Sequence, residues 1–108
     1  MSDEVDAIVV FMTAANGEEA ARLADMLVGA HLAACVQILP EIESVYRWQG
    51  KVETATETLA IIKTTAAAYP ELETVLAGLH PYEVPEIMAL VPEKIVEPYR
   101  AWLIGQVR

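Results

Sequence analysis

A chain of 108 residues falls at the usual size of one domain, and a chain of that length buries roughly two thirds of the surface its unfolded form exposes. Its 16 acidic side chains against 7 Lys and Arg leave a formal net charge of -9, which argues against the basic surface that nucleic-acid binding requires. The start MSDEVDAIVV is acidic where a secretory signal would be positive, no apolar run approaches the roughly 20 residues that span a bilayer, and Cys35 has no partner for an internal disulfide. The expected setting is a reducing cytoplasm, with no membrane or nucleic-acid partner. A hydrophobic fraction of 55% and a mean hydropathy of +0.34 are high for such a chain, and a subunit interface is the natural place for the surplus.

The run Ala7 to Met12 is apolar and rich in β-branched residues, which predicts a strand buried on both faces and central in its sheet. Asn16 with Glu19 three residues on forms a helix start, and Ala20, Leu23, Ala24, Leu27 and Ala30 follow at helical spacing, with a break near Gly29. From Ala33 to Trp48 the pattern is extended, interrupted by Pro40 as a bulge or bend. Gln49-Gly50 supplies a turn, and the chain returns from Lys51 to Thr64 as the second arm of a long hairpin. Pro70 suits a helix start, and Leu72, Val75, Leu76 and Leu79 form one apolar stripe ending at His80-Pro81. Between Pro85 and Pro92, EIMALV predicts a fourth strand, and Tyr99, Trp102 and Leu103 mark one face of a short helix starting near Pro98.

This order is the split βαβ arrangement: an α+β, ferredoxin-like βαββαβ sandwich with an additional C-terminal helix, in one domain over residues 1–108. Each hairpin arm would extend on the order of 45 Å at ~3.3 Å per residue, against a radius of gyration near ~13 Å for a chain of this size. The tip must overhang its own sheet or kink back. Unpaired edge groups on an overhanging hairpin find their most economical partner in another copy of the chain, so a homo-oligomer is expected.

The densest polar and aromatic cluster is His80-Pro81-Tyr82-Glu83-Val84-Pro85-Glu86, where two prolines hold a stiff loop between helix and strand. His80 is either a metal ligand, with Glu83 and Glu86 as oxygen neighbours, or a cap on the preceding helix. Tyr46, Arg47 and Trp48 near the hairpin tip suit a subunit contact or a pocket wall. Lys63 ends an apolar strand and either faces an anion in a cleft or is an ordinary strand-end charge. Cys35 reads as a small buried hydrophobe, since His31 is its only nearby positive candidate in the sequence, and Met12 and Met88 read as core before soft copper ligands. A Gly-rich phosphate loop, G-x-S-x-G, paired cysteines and H-x-x-x-H are all absent, so enzyme chemistry has no foothold.

Leu32-Ala33-Ala34-Cys35-Val36 with Leu39-Pro40, Ser44-Val45-Tyr46-Arg47-Trp48-Gln49-Gly50-Lys51, Ile61-Ile62-Lys63-Thr64 and His80-Pro81-Tyr82-Glu83-Val84-Pro85-Glu86-Ile87 together resemble the CutA divalent-cation tolerance family. The resemblance covers nearly the whole chain and implies an interlocked homotrimer similar in architecture to the PII signal proteins. It also implies a non-catalytic role in tolerance of copper and other divalent cations. The family's proposed copper ligands, a thiol ending the first strand and a His pair before Pro-Tyr, fall here on Met12, Leu79 and His80, of which His80 keeps its imidazole. A looser metal set at these positions uses His80 with Glu86 or Met12, with copper as the candidate cation. By the PII likeness, an inter-subunit cleft lined by Tyr46, Trp48, Lys63, Tyr82 and Glu83, together with His80 and Glu86, is the alternative site. It would take a small anion or metabolite in a sensor, or serve a scaffold that engages other proteins.

Overall fold

The computed structural model describes residues 6–108 and contains, in chain order, β1 (Ala7–Ala14), α1 (Gly17–Gly29), β2 (Cys35–Trp48), β3 (Lys51–Thr65), α2 (Tyr69–Leu79), β4 (Ile87–Leu90) and α3 (Glu97–Gln106). The strands form one antiparallel sheet in the order β2-β3-β1-β4. β1 is therefore internal, as its β-branched run predicts.

Strand alternation decides what each face of β1 meets. Ile8, Val10, Met12 and Ala14 join Ala60 and Ile62 of β3 in the main core, where Leu23 and Leu27 of α1 and Leu72 and Leu76 of α2 cover them. The opposite face differs from the expectation of burial on both sides. Val9, Phe11, Leu59 and Ile61 are only half-buried there, and Met88 and Leu90 of β4 are exposed. α3 covers one end of this face, where Leu103 packs with Ala7 and Ala34. Leu103 is buried, whereas Trp102 points outward and stacks on Tyr99 at 5.7 Å, so the three residues do not share one buried face.

Local chemistry fixes the boundaries. Asn16 Oδ1 accepts the Glu19 N–H at 2.8 Å and starts α1, while Pro70 and Pro98 stand in the first turns of α2 and α3, where a missing N–H costs nothing. The hairpin turn puts both Gln49 (φ 52°) and Gly50 (φ 82°) in the left-handed region, the two-residue geometry whose twist matches its strands. Pro40 marks a bulge: Leu39 faces Leu59 and Ile42 faces Glu57, so β2 spends one more residue than β3, and Glu41 absorbs it at φ 61°. β2 begins at Cys35, two residues later than the pattern suggests, because Leu32 and Ala33 are spent sealing the core beneath α1.

The molecule measures 47 × 27 × 22 Å, with a radius of gyration of 14.6 Å. β1 pairs with β3 only from Thr58 to Thr65, so the stretch from Lys51 to Glu57 is held by β2 alone. Within the described chain the hairpin overhangs its sheet rather than folding back.

Candidate functional site

The overhanging hairpin and the loop after α2 enclose a cleft of about 770 Å³ beside the end of β1. Tyr46 and Trp48 come from β2, Glu57 from β3, and Tyr82, Glu83 and Glu86 from the loop. Tyr46 and Trp48 are two residues apart on one strand and so share a side of it. The register that places Glu53 opposite Tyr46 and Glu57 opposite Ile42 brings the β3 carboxylate under the same edge. Prolines 81 and 85 hold the loop while the Tyr82 hydroxyl donates to Glu57 Oε2 at 2.8 Å, tying loop to hairpin. Burial and the neighbouring Glu57 carboxylate, with a smaller effect of Tyr46, push the Tyr82 phenol up to about 12.

His80 stands behind this wall. Its side chain is buried, and both ring nitrogens have protein partners: Nε2 lies 2.7 Å from the Thr13 carbonyl oxygen and Nδ1 lies 3.1 Å from the Tyr82 amide. A carbonyl only accepts and an amide N–H only donates, so the pair selects the neutral tautomer with its proton on Nε2. Its ring also leans on Tyr82, with centroids 4.7 Å apart. The alternative of a helix cap holds in the backbone, where the His80 N–H donates to the Leu76 carbonyl at 2.9 Å.

The structure thus gathers five of the expected site residues, Tyr46, Trp48, Tyr82, Glu83 and Glu86, and leaves three apart. Met12 is 1% exposed within the main core, among Leu and Ile side chains. His80 does not line the cleft. Lys63 lies six residues beyond Glu57 on β3, about 20 Å away along the strand. There its ammonium donates to Gln37 Oε1 at 2.9 Å and sits 5.9 Å from the Tyr99 ring. Cys35 faces Lys63 across the strand pair and is half-buried, with its sulfur 3.6 Å from the Tyr99 hydroxyl, so the thiol has a polar setting that its apolar sequence neighbours do not announce.

Glu57 is the residue that sequence reasoning misses. It looks like one more charge in the alternating run Glu53, Ala55, Glu57, and only the partnership with Tyr82, 25 positions away, shows its place. Every formally charged side chain lining the cleft among the described residues is a carboxylate: Glu57, Glu83 and Glu86. No three His, Cys, Asp or Glu side chains among the described residues cluster closely enough to hold a metal ion. The single chain therefore offers a negative, aromatic-walled recess rather than a finished chelating centre.

The four-stranded antiparallel sheet, three helices and overhanging hairpin define an α+β fold, and comparison with known proteins places it. Residues 8–106 match the family model described as CutA1 divalent ion tolerance protein. The chain is 45% identical over 95 residues to a divalent-cation tolerance protein CutA of Thermus thermophilus, covering 88% of this chain and 92% of the relative. It is 42% identical to the chloroplastic protein CutA of Arabidopsis thaliana, covering 99% of this chain but 59% of that longer relative. Among solved structures, CutA1 from Oryza sativa superposes with a TM-score of 0.93 at 43% identity, covering 99% of this chain and 98% of that one. The chain belongs to the CutA1 divalent ion tolerance family. That is not a known enzyme family, and no helix among the described residues is long and apolar enough to cross a membrane.

Proposed function

We propose that this protein acts in divalent-cation tolerance as a non-catalytic homotrimer of ferredoxin-like subunits arranged as in the PII signal proteins, and that cations gather in the hairpin cleft. The observation that carries this reading is the cleft's charge: Glu57, Glu83 and Glu86 line it and no Lys or Arg does. A negative recess raises the local concentration of cations several-fold even without inner-sphere contacts. Copper remains the candidate cation. In this reading its first contacts are the carboxylates, because Met12 is enclosed by the core and both His80 nitrogens are engaged. Donors from a second copy of the chain would complete a tight site.

The oligomer is supported by two features independent of the site. The sheet face opposite the main core leaves Val9, Phe11, Leu59, Ile61, Met88 and Leu90 uncovered or half-covered, and the overhanging β2 edge has unpaired backbone groups. Covering both at once is what a closed ring of copies achieves. The lone half-buried Cys35 suits a reducing compartment such as the cytoplasm. Titration of the metal-free protein with copper, followed at the Trp48 indole in the cleft wall, tests the reading: the signal is lost as the cleft fills.

A further inference from the structure

We infer that the cleft also accepts a small organic cation, an alkylated ammonium group held against aromatic rings; this rests on the cleft being the binding site proposed above and extends it to a second ligand class. The cavity itself is the first argument. Within one chain it measures about 770 Å³, which falls in the range of small-molecule sites and is far larger than a bare ion needs.

The lining is the second argument. Tyr46, Trp48 and Tyr82 bring three aromatic side chains to one recess, and the Tyr82 phenol is fixed there by its 2.8 Å bond to Glu57. Aromatic faces attract cations through the ring quadrupole, and Trp does so best. Val45, Val84 and Ala55 supply apolar contact for the substituents of an alkylated ammonium, which a strongly hydrated metal ion would not use. Charge supplies the sign: Glu57, Glu83 and Glu86 repel phosphates and carboxylates, which turns the expectation of an anionic metabolite toward a cationic one. Lys63, the residue that would have held an anion, is engaged with Gln37 and Tyr99 well outside the recess.

The test uses the full chain carrying Trp102→Phe, so that Trp48 is its only tryptophan, and choline as the probe. The control ligand is dimethylbutanol, the neutral analogue with carbon in place of the ammonium nitrogen. The expected result is a saturable change in Trp48 fluorescence with choline, at least tenfold tighter than with dimethylbutanol, and weakened at least tenfold by Glu83→Gln with Glu86→Gln. Both substitutions are at exposed positions, and circular dichroism confirms that the fold is retained. An equal response to the neutral analogue overturns the inference, leaving a merely apolar recess. No response to choline, with copper still changing Trp48 in the same sample, also overturns it while the cation-tolerance reading stands. Silence toward both ligands overturns the two together.

Discussion

Replacing His80 by alanine tests whether this residue is a structural keystone or a ligand in waiting. The ring satisfies the buried Thr13 carbonyl at 2.7 Å and the Tyr82 amide at 3.1 Å, and it packs on the Tyr82 ring. Truncation leaves both backbone groups without that partner. An orphaned buried group costs about 1–3 kcal/mol, and the Tyr82 amide, being less buried, sits at the low end. The sum, with the lost ring contact, comes to about 2–4 kcal/mol. Urea denaturation at one fixed protein concentration measures it, because a concentration-dependent assembly shifts its own midpoint. The same preparation titrated with copper in a calorimeter should keep its affinity within a few-fold, since His80 has no free lone pair to lose. A variant within about 0.5 kcal/mol of the parent would refute the keystone argument. A variant that keeps its fold but loses tenfold or more in copper affinity would return His80 to the ligand set.

Two further outcomes follow from the same geometry. The Tyr82 phenol is raised from its ordinary value of 10 to about 12, so the folded state holds that proton more tightly; the stabilisation is full below pH 10 and is lost as pH rises through the interval to about 12. Two units would correspond to ~2.7 kcal/mol, but the ring is partly open to water and screening reduces this to under about 1 kcal/mol. Tyr82→Phe should remove that alkaline loss in a pH series of denaturation curves, and an unchanged alkaline limb would contradict the assignment. Light scattering at micromolar concentration should give three chains per particle, whereas a monomer would contradict the covering of the open sheet face and the β2 edge.

How far the sequence carries depends on how local the determining physics is. The Asn16 cap, the prolines at the starts of α2 and α3, the Gln49-Gly50 turn and the Pro40 bulge are each decided within a few residues, and each stands where the pattern places it. The single-sided burial of β1 is not legible in AIVVFM, because the half-exposed face carries the same kind of apolar residues as the face covered by helices. The cleft is half legible. The stiff 80–86 loop and the Tyr46-Trp48 tip announce themselves by composition, yet their meeting depends on hairpin twist and on Glu57, whose role no neighbouring residue signals. Lys63 shows the converse. Its place at the end of an apolar strand suggests a cleft anion site, but β3 is long enough to carry it to the other end of the sheet. His80 was legible as special and not as what it does, since a ligand and a buried double hydrogen-bonding bracket both use the same imidazole.

The most direct measurement is the effect of copper, a paramagnetic ion, on the Trp48 indole N–H resonance of the metal-free protein. Selective broadening of that resonance at low copper, abolished when Glu83→Gln and Glu86→Gln are introduced together, is the result the account predicts. No broadening at Trp48, or broadening that persists unchanged in the double variant, would contradict the claim that the carboxylates of the hairpin cleft are where the cation is met.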